Sequence, residues 1–298
     1  MTDANKEFVV AHSPDPDDAF MYFGMAKGHV SLPGYTIKHR IADIHQLNKL
    51  AVEGVDEVTA ISAASYPEVA HNYRIMTVGA SVGRGYGPIV VAKEEMDLTG
   101  KRIAVPGLTT TARLMSRLLL PPFEEVEVPF DKIFEAIDAG EVDAGVLIHE
   151  GQLTYPDYGV VKLLDLADAW KERTGYPIPL GLDVISRDLP ESVQVGFAEA
   201  MAESILCAYE NIDEAAAYAQ EFGRGISKDQ NLEFVQMYVN LDTLHLGEDC
   251  CRSLEALYAS AADQGLMQDV PPLDFVTPQN PAIVERIVEF RNRIQSGS

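Results

Sequence analysis

The sequence holds three cysteines, one tryptophan and half as many cations as anions, and it has no apolar run near the ~18 residues that a membrane span needs. Cys207, Cys250 and Cys251 make no disulfide framework, because adjacent cysteines bridge only with strain and one thiol would be left over. Buried thiols are the expected state. Neither a CxxC nor an HExxH pattern occurs, so no metal site is expected. Twenty-three Lys and Arg face 46 Asp and Glu, a formal charge of −23. Such a field repels phosphate backbones and anionic bilayers, which argues against nucleic-acid and membrane partners. The acids are spread along the chain, as on a solvated surface, and would suit a saline cytoplasm. Their mutual repulsion is screened by ions, so thermal stability is expected to rise with added salt; a melting temperature indifferent to salt would contradict this. The opening MTDANKEFVVAHSPD has neither the basic n-region nor the long apolar h-region of an export signal, and a cytoplasmic location is expected.

What is present is an α/β alternation. With 298 residues and 47% hydrophobic composition, the chain can bury one large core or two of ordinary size. EFVVAHSP (7–14) reads as a strand, DPDDAFMYFGMAKG as a helix, YTIKHRIA as a strand, and DIHQLNKLAVEG as a helix with Asp43 as N-cap and Gly54 at its stop. EVTAIS, SAASYPEVAHN and YRIMTVGASV continue as strand, helix, strand. The pattern then repeats through KRIAVPG, TTTARLMSRLLL (stopped by Pro121), EEVEVPF, DKIFEAIDAGE and VDAGVLI. Two successive βαβαβ blocks imply two sheets, mixed but largely parallel. Between them Pro88 to Ala92 reads as an extended crossing, and PLGLDVISRDL (179–189) as a second one. From Glu191 on the chain is mostly helical, in stretches that include IDEAAAYAQEFG and a last helix from about Ala282 to Ile294. The expected architecture is a bilobal clamshell. Residues 1–91 and 182–298 would form the larger, discontinuous lobe, and 92–181 the smaller inserted one.

Open α/β sheets take ligands beyond the carboxyl ends of their strands. In AGVLIHEGQLTY, His149 stands at such an end, on an otherwise aliphatic strand. An imidazole, with an ordinary pKa of ~6.5, suits proton transfer near neutrality. A hydrogen-bonded strand-end histidine is the alternative. His12 also ends a strand. In VPGLTTTARL, Pro106 and Gly107 turn, and Thr110 and Thr111 open a helix whose N–H groups favour an anion; simple N-capping by threonine is the alternative. Ser62 in AISAASYPE and Ser13 in HSPDPDDAF have the same layout. Three strand-end hydroxyl sites and a histidine describe a cleft for a small carboxylate. The acids of HSPDPDDAF suit a helix start better than a metal. GRGYG (83–87) lacks the GxGxxG spacing and reads as a flexible segment near the hinge. Trp170, Tyr155, Tyr158 and Tyr176 suit core packing, or an aromatic ligand.

GPIVVAKEEMDLTGKRIAVPGLTTTARL, LIHEGQLTY and ERTGYPIPLG resemble the 1,4-dihydroxy-6-naphthoate synthase family of the futalosine route to menaquinone, and the resemblance runs from HSPDPDDAF into the helical tail. It implies a fold like the type II periplasmic binding proteins and a lyase; no cofactor is expected, and a monomer or homodimer is. The substrate would be cyclic de-hypoxanthine futalosine, and the products a dihydroxynaphthoate and a sugar-derived fragment. The family's proton-accepting histidine falls on His149, its substrate-binding serine segment on Ala60, Ile61 and Ser62, and its paired threonines on Thr110 and Thr111. Many members read SPCPNDTF where this chain has SPDPDDAF, and many carry lysine at the position of Ala60. Two other readings are a non-catalytic solute-binding protein for a small carboxylate and the sister chorismate dehydratase.

Overall fold

Strands and helices alternate where β-branched runs give way to capped amphipathic ones, and the computed structural model describes them over residues 5–222, 227–268 and 270–296. The chain begins with β1 (Lys6–His12), α1 (Pro16–Met21), α2 (Phe23–Ala26), β2 (Tyr35–Ile41), α3 (Ile44–Glu53), β3 (Val58–Ser62), α4 (Tyr66–Val69), β4 (Tyr73–Met76) and β5 (Ser81–Gly83). β1 pairs in parallel with both β2 and β3, as strands joined through helical crossovers do.

Helix α3 shows how local chemistry sets the bounds. The Asp43 side chain accepts from the Gln46 N–H at 3.0 Å, and Gly54 ends the helix in the left-handed region at φ +67°. Replacing Asp43 with alanine is expected to cost about 1 kcal/mol, read as a lower denaturant midpoint with an unchanged slope. The helix expected over DPDDAFMYFGMAKG is instead two. Tyr22 takes φ −87° and ψ 2°, closing α1 and opening α2, and its buried hydroxyl donates to Asp183 Oδ2 at 3.0 Å. The strand expected over YRIMTVGASV is also two. The break includes Gly79 at φ +94°, where a Cβ would stand 2.2 Å from Asp183 Oδ2.

The second sheet is built from β6 (Ile89–Ala92), β7 (Arg102–Val105), α5 (Thr111–Leu119), β8 (Glu124–Glu127), α6 (Ile133–Ala139), β9 (Ala144–Leu147), α7 (Gly151–Thr154), β10 (Val161–Asp165) and α8 (Leu166–Thr174). Its order is β10-β6-β9-β7-β8. Strands β7, β8 and β9 are parallel, whereas β6 runs antiparallel to β9 and β10. The other crossing, β11 (Ile178–Ser186), enters the first sheet antiparallel to β3, β4 and β5. Both sheets are therefore mixed: the βαβ units keep their parallel pairs, and each crossing adds a reversed strand. Helix α8 lies where no element was expected, although its signals are present: Asp165 caps it by accepting from the Ala167 N–H at 3.0 Å, and Gly175 ends it in the left-handed region.

The remainder is α9 (Glu191–Glu210), α10 (Ile212–Gln220), α11 (Lys228–Tyr238), α12 (Leu241–Leu244), α13 (Glu248–Asp263), β12 (Phe275–Val276) and α14 (Pro281–Ser296). The close of IDEAAAYAQEFG at Gly223 lies outside the described residues. The first sheet reads β12-β4-β11-β3-β1-β2, with β5 on β11. One apolar cluster under it joins Phe8, Phe20 and Phe23 to Phe197 and Ile205 of α9. Another runs from Ile61 and Tyr66 through Val90 and Ile103 to Trp170 and Tyr258, tying the two sheets together. Among the described residues no helix is long and apolar enough to cross a membrane.

Candidate functional site

The carboxyl ends of β1, β3, β7 and β9 open into one cavity of about 120 Å³ between the sheets. A single water needs roughly 10–15 Å³ on that scale, so the space suits a small organic molecule. Ser13, Ala60, Ile61, Ser62, Thr110, Thr111 and His149 all line it.

One end offers hydrogen-bond donors. The Ser62 N–H donates to Asn48 Oδ1 at 2.8 Å, and Asn48 Nδ2 donates back to Ser62 Oγ at 3.1 Å. Because that hydroxyl already accepts, its own proton is left for a ligand. The threonines are arranged differently. Thr110 Oγ1 donates to the Gly107 carbonyl at 2.8 Å and accepts from the Arg113 N–H at 3.2 Å, which makes it the N-cap of α5. Thr111 Oγ1 donates to the Leu180 carbonyl at 2.7 Å and accepts from the Ala64 N–H at 3.1 Å, tying α5 to β11 and to the turn after β3. Both hydroxyls are thus committed within the protein. What α5 presents to an anion is its first-turn backbone, the Thr111 and Ala112 N–H groups, at the positive end of the helix dipole. Ala60 and Ile61 supply apolar wall.

Another part of the lining is acidic. Asp15, Asp17 and Asp18 line the cavity from the start of α1, and Asp183 from β11, directly across from Ala60 in the ladder. No lysine or arginine lines it among the described residues. Burial, and then the neighbouring Asp18 and Asp15, push the Asp17 carboxyl well above the usual range. Burial raises Asp18 to about 7, against a 2.7 Å hydrogen bond from the Ser13 N–H that favours its anion. Asp183 is also pushed well up, by burial first and then by Asp18. Ser13 Oγ donates to Asp15 Oδ2 at 2.7 Å.

His149 adjoins the acidic part of the lining. It follows β9 at φ +55°, a left-handed conformation that histidine tolerates better than most residues. Its Nδ1 stands 3.2 Å from Asp15 Oδ2, and its ring meets Phe130 edge to face at 4.9 Å. One turn on, Gln152 Nε2 donates to the Tyr238 hydroxyl of α11, a second link across the cavity.

Other candidates fall elsewhere. His12 is buried, stacked on Tyr22 and 3.0 Å from His39 Nδ1; burial and then His39 hold it down to about 4, so it is neutral. Trp170 is core, its indole donating to Ser253 Oγ at 2.9 Å. Tyr155, Tyr158 and Tyr176 do not line the cavity. In GRGYG, Arg84 is tied to Asp242 and to Asp249 at 2.8 Å, a fixed anchor rather than a flexible loop. Its guanidinium fills the one cluster with metal-ligand character among the described residues, Asp242, Asp249 and Cys250. All three cysteines are free thiols.

The model of the family described as "Menaquinone biosynthesis" matches residues 8–263. The chain belongs to this family. A 1,4-dihydroxy-6-naphthoate synthase of Thermus thermophilus is 37% identical over 265 residues, covering 89% of this chain and 97% of that protein. Its namesake in Streptomyces coelicolor is 34% identical over 271 residues, with 88% and 95% covered. A solved protein of Archaeoglobus fulgidus superposes with a TM-score of 0.85 at 50% identity, over 88% of this chain and 98% of that one. The aliphatic sulphonate-binding protein of Escherichia coli, at 10% identity and TM-score 0.65 over 93% and 98% of the two chains, shares the fold. The fold is that of the periplasmic binding proteins, two mixed α/β sheets followed by helices.

Within this family frame, several cavity residues went unread in the sequence. Asn48, which holds Ser62 from behind the cavity lining, was not singled out; its signal was a polar side chain on the buried face of α3. Asp183 had a plainer signal, a charge inside the apolar IPLGLDVIS strand. Tyr238 and Gln152 had none, because their meeting depends on how the helical tail folds back.

Proposed function

We propose that the chain is a carbon–carbon lyase converting cyclic de-hypoxanthine futalosine to 1,4-dihydroxy-6-naphthoate, with release of a sugar-derived fragment. The observation that carries this is one imidazole, His149, sharing a cavity with the Ser62 hydroxyl and the α5 N-terminus. The names of the relatives support the reaction class. The substrate carboxylate is held by the Ser62 O–H and the N–H groups of Thr111 and Ala112, with Thr110 shaping the turn that presents them. These local donors are needed because neither the chain's net charge nor the cavity lining provides a cation. The polyhydroxylated part faces Asp17, Asp18 and Asp183, which as protonated acids both donate and accept hydrogen bonds.

His149 removes a proton next to the bond that breaks. The C–H electron pair moves into the ring, the carbon–carbon bond cleaves, and its electrons leave with the sugar fragment, which is then protonated. Aromatisation supplies driving force. The two lobes, divided at the crossings β6 and β11, close to exclude water and align the base.

A periplasmic-binding-protein fold also serves non-catalytic capture, and fold alone does not decide. Incubating purified protein with the cyclic substrate separates the readings. A lyase forms naphthoate, a binding protein returns the substrate unchanged, and consumption of chorismate instead would move the chain to the dehydratase reading.

A further inference from the structure

We propose that Asp15 is a positioning residue for the base: its carboxylate accepts the Nδ1 proton of His149 and fixes the tautomer whose Nε2 lone pair meets the substrate. The inference rests on His149 being the base. Asp15 follows β1 of the first sheet and His149 follows β9 of the second, so the base is oriented by a residue of the other sheet. The contact is 3.2 Å, with the two side chains only 5% and 19% exposed. The carboxylate is itself held, since Ser13 Oγ donates to the same oxygen at 2.7 Å. The ring is steadied by Phe130 at 4.9 Å.

A neutral imidazole that donates from one nitrogen has only the other as acceptor. With Nδ1–H on Asp15, Nε2 is that acceptor. When it takes the substrate proton, the ring becomes an imidazolium with both protons on nitrogen, and Asp15 stays ionised beside it. An opposite charge at this distance favours that cation. Other ionisable groups also face this space: Asp17 and Asp18 from α1, Asp183 from β11 and Tyr238 from α11, with Glu150 next in the chain. Asp15 is the carboxylate within hydrogen-bond distance of the ring.

The test uses full-length protein with 15N-labelled histidine, titrated by NMR, the His149 signals being assigned by their loss in His149→Asn. Turnover of the cyclic substrate is followed in wild type, Asp15→Asn and Asp15→Glu. The wild-type ring is expected as the Nδ1–H tautomer. Asp15→Asn is expected to lose the preference for the Nδ1–H tautomer and to lower kcat by about 10²-fold, with KM changed less than about threefold. Asp15→Glu is expected to restore part of the rate. An Nε2–H tautomer in active wild type overturns the proposal without any variant, and so does an Asp15→Asn protein with unchanged tautomer and kcat. Wild type that forms no naphthoate sinks the base assignment itself, and the proposal with it.

Discussion

Replacing His149 with asparagine lowers kcat by about 10² to 10⁴, the range a positioned general base contributes, and leaves KM and the melting temperature near wild type. Asparagine suits this position better than alanine. The backbone here sits at φ +55°, where alanine adds strain of about 1–2 kcal/mol and asparagine adds little. Asparagine also keeps a polar side chain beside Asp15 while offering no base. Steady-state kinetics with thermal melts of the same samples checks this. A variant that retains wild-type kcat removes His149 from the chemistry. One that loses KM and stability together makes it a structural residue.

Asp18→Asn stabilises the protein at pH 8 and changes little near pH 4. The direction follows from linkage. Burial lifts Asp18 to about 7 in the folded chain, whereas in the unfolded chain it titrates near the ordinary value of ~3.9. Between those values the folded state holds a proton that the unfolded state has lost. Stability from this group is therefore full below about 4 and declines as pH rises towards 7. The decline is about 1.4 kcal/mol per pH unit, on the order of 4 kcal/mol by neutral pH. Asparagine mimics the protonated acid, and its oxygen can accept the same Ser13 N–H. Denaturant melts of both proteins from pH 4 to 8 measure the difference. Parallel stability curves would mean that Asp18 is ionised in the fold throughout, and that the acidic end of the cavity is not held neutral by burial.

Such a cost fits a functional site, where local stability is given up for chemistry. It also marks where the sequence stopped being readable. The elements were legible because their signals are local: Asp43 and Gly54 bound α3, Thr110 opens α5, and alternating or β-branched runs mark β2 and β3. The cavity was legible because parallel strands put their carboxyl ends on one side of each sheet, after β1 and β3 in the first and after β7 and β9 in the second, and two crossings join the sheets. Burial was not. Asp15, Asp17 and Asp18 look like ordinary helix-start acids, yet α1 packs against α9, α10 and α11, and that tail closes over them. Nor did the sequence reveal that the hydroxyls of Thr110 and Thr111 have partners inside the protein. Their spacing suits a cap and an anion site equally, and only Gly107, Leu180 and Ala64 show how they are used.

The most direct measurement is a crystal structure with dihydroxynaphthoate bound. The carboxylate is expected on the Ser62 hydroxyl and the α5 N-terminus, with His149 Nε2 facing the carbon where the fragment departed. Product bound elsewhere, or an imidazole walled off from it, would rule out His149 as the base.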